Sequence, residues 1–217
     1  MKIKYFLQLI ILFLFAVLPF RSAEAILSEA GAHRWAEDKG AEILQILAQP
    51  NSEEKYAALD KILATDIDLD HAARFVVGKY WRTMTEEQQT QYVALFKRYV
   101  AAIYKNYPLD IAANSINFNV ENTISQKDKV LVKCRILFND IPTDNDGKKT
   151  DFRVLFVLKE NGGQIQVEDL KVEDSSLLLS FRDRFYKIIH EDNDDEIGWF
   201  LEDFNAIVED TEMAEQE

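Results

Sequence analysis

Apolar residues recur at helical spacing through the first half of the chain, alternate through the next third, and return to helical spacing near the end. From Ile26 to Ala48 the pattern predicts a helix, stopped by Pro50, whose ring disfavours helical backbone at Gln49. Asn51 or Ser52 is placed to cap a second helix running through Leu63, with Tyr56, Leu59, Ile62 and Leu63 as its stripe. A short third helix covers Leu69 to Val77, with Gly78 as its stop signal. Next comes "GKYWRTMTEEQQTQYVALFKRYV", in which Thr85 and Gln88 have the spacing of a capping box. Behind it Tyr92, Phe96, Tyr99 and Ile103 follow at steps of four, three and four, predicting a long amphipathic helix from Glu86 to about Lys105. Phe75, Tyr80 and Trp81 precede the cap and have this helix face to lie against.

The period changes after Pro108. Ile116, Phe118 and Val120 alternate with asparagines, and Val130, Val132, Cys134, Ile136 and Phe138 give the clearest strand in the chain. Phe152, Val154, Phe156 and Leu158 repeat the alternation, and Ile165 with Val167 begins a fourth strand. "PTDNDGKK" and "ENGG" between strands are hairpin turn chemistry. In "EDLKV" the apolar phase shifts to Leu170 and Val172, which a bulge near Glu168 and Asp169 explains. Leu178, Phe181, Phe185 and Ile188 then form a helical stripe starting at Ser175 or Ser176. After the polar break "HEDNDDE", a last helix carries Ile197, Phe200, Leu201, Phe204 and Val208. Helices, then sheet, then helices make an α+β domain, with about six helices around a four-stranded, curved antiparallel sheet.

The ends and the charge narrow the class. Lys2 and Lys4, the apolar stretch Tyr5 to Leu18, and Ala23 and Ala25 before a cut at Ile26 read as a secretory signal peptide over residues 1–25. One domain is expected over 26–208, followed by an acidic, disordered tail over 209–217. Against 25 basic residues stand 38 acidic ones, a net charge of −13, which becomes −15 when the leader takes away three bases and one acid. Such a surface repels nucleic acid and anionic headgroups, so a bound lipid must be held by its tails. Headgroup recognition is expected to be weak, because no basic cluster lies within the apolar segments. Cys134 is the single cysteine, so no intrachain disulfide forms and burial alone must stabilise the fold.

Catalytic patterns are missing. His33, His71 and His190 are isolated, which argues against a metal site. "PTDNDG" lacks the end carboxylates of a calcium loop, and "EDNDDE" reads as a solvated turn. There is no glycine-rich phosphate loop and no GxSxG elbow. Cys134 alternates into an apolar strand face, as a buried hydrophobe does. What remains is a large apolar surface on helices and on one sheet face, and a curved sheet wrapped by helices can enclose an apolar cavity.

Two blocks carry a family resemblance. "DIDLDHAARFVVGKYWRTMTEEQQTQYVALFKRYVAAIY" resembles the signature segment of the MlaC family, also called toluene-tolerance or ABC-transporter auxiliary components. The fit runs through Phe75, Val76, Gly78, Tyr80, Trp81, Arg82, Thr85, Glu87, Gln88, Tyr92, Phe96 and Tyr99. "VEDLKVEDSSLLLSFRDRFYKII" resembles a second family block through Asp169, Val172, Glu173, Ser176, Leu177, Phe181, Arg182, Phe185 and Ile189. Asp174 departs from the family's usual glycine, and "HEDNDDEIGWFLEDF" replaces a glycine-rich turn and helix.

The resemblance implies a sheet like that of the NTF2 superfamily and a periplasmic carrier with phospholipid as cargo and no cofactor. It further implies a monomer that shuttles lipid between an outer-membrane lipoprotein–porin complex and the MCE-domain subunit of an inner-membrane ABC transporter. Alternatives are a carrier of another lipid such as a hopanoid, a small enzyme on an NTF2-like cone using Asp169 or Tyr99, and a ligand-free envelope adaptor. On periodicity, the tails are expected to meet Val132, Cys134, Ile136, Val154 and Phe156 on the sheet. Phe96, Tyr99, Val100, Leu178 and Phe181 are expected to close the other side, with the helix from Ser176 to Ile189 as the hinged wall.

Overall fold

The computed structural model describes residues 27–106, 115–138 and 151–214. The leader, the "PTDNDGKK" turn and the last three residues of the tail lie outside the described residues. Among the described residues, six α-helices and five strands follow one another: α1 (Glu29–Leu47), α2 (Glu53–Asp66), α3 (Leu69–Val77), α4 (Glu86–Lys105), β1 (Ile116–Gln126), β2 (Lys129–Phe138), β3 (Asp151–Asn161), β4 (Gln164–Val172), β5 (Ser175–Ser176), α5 (Leu177–Lys187) and α6 (Ile197–Ala214).

Local chemistry accounts for the helix starts. Ser28, Ser52, Asp68 and Ser176 each accept a hydrogen bond from a first-turn backbone N–H. At α4 the capping box forms in both directions: Gln88 N–H donates to Thr85 Oγ1 (3.2 Å) and Thr85 N–H to Gln88 Oε1 (2.9 Å). Gly78 ends α3 at φ +49, where an added Cβ would run into Tyr186 and Arg182. The fully buried Lys55 holds the end of α1, its amine donating to Leu47 O, Gln49 O and Asn51 Oδ1. That ties the α1–α2 turn without leaving an unpaired buried charge.

All neighbours in the sheet are antiparallel and follow chain order, β1-β2-β3-β4-β5. The expected four strands are therefore five, because Ser175 and Ser176 pair back onto Val172 and Lys171. Two bulges bend the sheet. Val120 pairs with Cys134 and Asn122 with Lys133, leaving Glu121 as the extra residue. Leu158 pairs with Val167 and Val157 with Asp169, leaving Glu168 extra, where the phase shift predicted it. "ENGG" closes β3 to β4 with Gly162 and Gly163 at φ +60 and +84. A two-residue turn with both φ values positive matches the twist of the flanking strands.

The same geometry explains the departure at Asp174. The β4–β5 turn places Glu173 at φ +47 and Asp174 at φ +68, so two side-chain-bearing residues occupy left-handed backbone. Glycine relieves about 1–2 kcal/mol of that strain and returns about 0.5–1 kcal/mol as extra unfolded-chain entropy. Asp174→Gly is therefore expected to stabilise the protein by about 0.5–1 kcal/mol, read as a shift in the urea midpoint at constant slope. The exposed Arg153–Asp174 contact at 3.8 Å contributes little against this.

Burial divides into two clusters. One lies among α3, α4, α5 and α6: Tyr92, Phe96 and Tyr99 meet Phe185, Phe200 and Phe204, with Phe200 and Phe204 stacked at 5.7 Å. Tyr92 is fully buried and satisfies its hydroxyl on Ala73 O at 3.1 Å. The other joins α1 to the sheet: Leu27, Ala32 and Ala36 on Val130, Val132, Cys134, Leu158 and Val167.

Two segments expected to be loose are tied down. In "HEDNDDE" the buried Asn193 donates to Ile188 O (3.1 Å) and Asp203 Oδ2 (3.3 Å). Tyr80 donates to Asp195 Oδ1, and His190 Nδ1 stands 3.0 Å from Asp195 Oδ2. The expected tail from Glu209 is helical to Ala214, held by Arg98 on both oxygens of Glu212 and by Asn106 on Thr211 O. A sequence rich in acid looked frayed, but its cations sit on α4, distant in the chain.

Candidate functional site

Directly opposite residues of an antiparallel pair point to the same side of a sheet. The register therefore puts Ile116, Phe118, Val130, Val132, Cys134, Ile136, Phe138, Val154, Phe156, Leu158 and Val167 on one face. α1 lies across this face with α2 beside it. Glu29, at the start of α1, accepts from Ser125 N–H (2.7 Å) near the end of β1. Further along α1, Gly40 lies against Phe118 so closely that a Cβ would overlap the ring. α2 ends against β4, where Asp68 N–H donates to Val167 O (3.0 Å) and Gln164 and Gln166 both donate to Thr65 O.

Between this helix pair and the sheet lies a cavity of about 310 Å³. Its helix wall includes Trp35, Ile43, Leu44, Leu47 and Ile62, and its sheet wall Phe118, Ile136, Phe138 and Phe156. The size is at the small end of the ~300–1,000 Å³ usual for small-molecule sites. Among the described residues that line it, two are charged, Lys39 and Asp66, with Nζ 2.8 Å from Oδ2. Burial pulls the Lys39 amine down, but contacts with Asp66 and Glu42 outweigh it and raise its pKa. A larger groove, about 610 Å³, runs outside past Asp60, Asp70, His71 and Lys97. It is polar, and its charges pair across it, Lys97 with Asp70 at 3.0 Å.

Of the ten residues expected around the tails, Ile136 and Phe156 line the cavity. Val132 and Cys134 share their face but lie under α1 in the packed cluster, and Val154 is buried opposite Cys134. Phe96, Tyr99 and Leu178 belong to the helical core, and Val100 and Phe181 pack against it. Among the described residues, none of α5 lines this cavity. α1 forms the wall instead. The helix itself was expected from Ile26 to Ala48, but its apolar residues Ile43, Leu44 and Leu47 were not singled out, and helical spacing does not say which sheet face they cover.

The residues weighed for chemistry have structural duties. Asp169 accepts from Ser176 Oγ (2.8 Å) and from Leu178 N–H (3.3 Å), holding the start of α5. Tyr99 packs edge-on against Phe181, Phe185 and Phe204. Burial, with help from the Glu121 charge, pushes the Cys134 thiol up to about 12, so it is not a thiolate at neutral pH. Among the described residues no group of three or more His, Cys, Asp or Glu could hold a metal ion. None of the described helices is long and apolar enough to cross a membrane.

Comparison with known proteins bears on this arrangement. The family model described as MlaC protein matches residues 37–199, from the middle of α1 into the start of α6. The chain belongs to the MlaC family. The match takes in the cavity's helix wall from Lys39 onward and all of its sheet wall. Among solved structures, the phospholipid-binding protein from Ralstonia solanacearum, determined in complex with a phospholipid, shares the fold. Its TM-score is 0.61 at 17% identity, over 82% of this chain and 98% of that one. A comparison with curated proteins gives no match. Asp174, where the sequence departs from the expected glycine, stands on left-handed backbone at φ +68, a conformation that glycine adopts without strain.

Proposed function

We propose that this MlaC-family chain is a carrier that binds phospholipid by its acyl chains in the cavity between α1, α2 and the sheet. The observation that carries the reading is the cavity wall, apolar except for one ion pair, in a fold shared with a protein seen with phospholipid. Hiding a methylene from water is worth ~0.8 kcal/mol, so a dozen give about 10 kcal/mol and escape into water is slow. Transfer into a bilayer is near balance, because the bilayer interior is as apolar as the cavity. A carrier of this kind needs no nucleotide site of its own.

The setting belongs to the same proposal: a leader over residues 1–25 directs the chain to the periplasm. There it would take lipid from, or give it to, an inner-membrane MCE-domain ABC transporter and an outer-membrane lipoprotein–porin complex. The NTF2-like cone also stays with this reading, supported by four long antiparallel strands bent by two bulges. The test is native mass spectrometry of the purified protein, followed by solvent extraction. A bound mass equal to a two-chain phospholipid, one per protein, is expected. Protein that carries no lipid from the cell, and takes none from vesicles, would overturn the reading.

A further inference from the structure

Acids outnumber bases in this chain by 38 to 25, so a cation on its surface has carboxylates within easy reach. Lys97, Arg98, Lys129, Arg135, Arg153 and Lys159 each pair with one. Four cations where α3 meets α5 do not. Arg74 on α3, Lys79 and Arg82 in the 3-10 turn Gly78–Arg82 that follows it, and Arg182 on α5 have no carboxylate partner among the described residues.

They stand over aromatic rings instead. Arg74 Cζ lies 5.4 Å from the centre of the Trp81 ring. Arg182 Cζ is 5.2 Å from the ring of Phe75 and 5.1 Å from that of Tyr186. Lys79 Nζ is 4.6 Å from the Tyr80 ring. These rings are held firmly, Tyr80 buried and Phe75, Trp81 and Tyr186 half-buried. Tyr186 Oη accepts from the Lys79 backbone N–H (3.0 Å) and from Arg182 (3.1 Å), which ties α5 to the turn. Burial pushes the Tyr186 phenol up, but these two hydrogen bonds and the charges of Arg182 and Lys79 outweigh it and lower its pKa. The potential here is therefore positive on a molecule that is negative as a whole. Nearby acids have other partners: Asp70 with Lys97 at 3.0 Å, Asp195 with Tyr80 and His190, and Glu191 with Lys187 at 3.9 Å. Asp183 is exposed at the rim, in a groove shared with Lys79.

The chemistry of the patch selects its partner. A guanidinium stacked on a ring gives up water on one face and keeps its edge N–H groups for an acceptor. Of the three arginines, only Arg182 donates a hydrogen bond among the described residues. A carboxylate fits such an edge with two parallel bonds. Arginine, tryptophan and tyrosine are also the residues that carry most of the energy at protein interfaces. A membrane fits less well. A plane of anionic headgroups extends beyond the patch and meets the surrounding acids, whereas a compact segment touches the patch alone and is screened from the rest within about 8 Å at physiological salt. The rings lie half-buried beneath the cations and are not offered for insertion.

We infer that Arg74, Lys79, Arg82 and Arg182, backed by their rings, form a docking surface for an acidic segment of a protein partner. None of these residues lines the cavity between α1, α2 and the sheet, so docking leaves that cavity free. The inference goes beyond the lipid reading and does not rest on it.

The probe for the test is fluorescein-labelled hexaglutamate, followed by anisotropy at physiological salt. A zero-length carbodiimide then joins lysines to the probe's carboxylates, and peptide mass spectrometry locates the lysine used. Lys79 is expected to carry the cross-link in preference to the exposed Lys61, Lys127 and Lys133. Arg74→Gln with Arg182→Gln should weaken binding about tenfold, and Lys61→Gln with Lys133→Gln less than about twofold. Vesicles of dioleoyl phosphatidylglycerol form the second arm and should bind the parent no better than the arginine variant. Vesicle binding that the arginine variant loses would assign the surface to a membrane and overturn the protein partner. No binding of hexaglutamate, cross-links spread over the other lysines, or an affinity that survives loss of both arginines would overturn the docking surface itself. If the arginine variant does not fold, the exposed Arg82→Gln and Lys79→Gln decide, each expected to weaken binding about threefold.

Discussion

Ile43→Trp is expected to strip the protein of its lipid: at least about tenfold less should copurify, ~1.4 kcal/mol or more in affinity. Ile43 is half-buried on the face of α1 that covers the sheet, and its side chain lines the cavity. An indole there occupies space that a lipid tail would otherwise fill, against Phe118 and Ile136 on the opposite wall. The cost to the fold should be small, because the new ring enters a void and not a packed site. Overpacking a filled core costs about 1–3 kcal/mol, and this substitution should fall at or below the low end. Lipid extraction and a urea titration on the same preparation check both halves. A variant with parental stability and a full complement of lipid would show that the tails lie elsewhere.

Phe185→Ala should do the reverse, costing about 3–5 kcal/mol of stability and leaving lipid per folded molecule unchanged. Phe185 is fully buried, with the rings of Tyr92, Phe96, Tyr99, Phe200 and Phe204 around it at centroid distances of 5.0–6.2 Å. Removing it opens a void at the meeting point of α4, α5 and α6, and the surrounding rings, fixed on α4 and α6, cannot all move in to close it. None of these six aromatics lines the cavity. Denaturant unfolding gives the first quantity and lipid counting under folding conditions the second. A large loss of lipid from a still-folded Phe185→Ala protein would restore α5 as a cavity wall. Together the two substitutions test whether stability and ligand space reside in separate clusters.

Most of the secondary structure was legible because it depends on neighbours in the chain. The α4 helix runs from Glu86 to Lys105 as its stripe and capping box predict, since both signals act over three or four residues. The phase slip in "EDLKV" located the bulge at Glu168, because a strand's period of two leaves no other way to keep both Val167 and Leu170 on one face. Gly78 stopped α3 for an equally local reason, a backbone conformation that a side chain would strain. Where local signals were short the reading fell short as well. The two-residue strand β5 has no period to detect, and the end of α6 looked like solvated acid until Arg98 of α4 was brought beside Glu212.

The candidate site divides along the same line. By itself the sequence determined the elements, the inward sheet residues Ile136 and Phe156, the inert burial of Cys134, and the likeness to the MlaC family. Periodicity says which residues of an element share a face, because 3.6 and 2.0 residues per repeat are properties of the backbone alone. It does not say what the face meets. Phe96, Tyr99 and Phe181 have the same apolar stripe whether they close a cavity or fill a core, and only packing sent them against α6. Tertiary structure alone decided that α1 and α2 cover the open side of the sheet, and that Lys39 meets Asp66 there across 27 residues of chain. The reason is energetic. Burying a stripe yields nearly the same free energy against any apolar partner, so the choice is made by fit, by the bulges that bend the sheet, and by the few polar groups that must find one another.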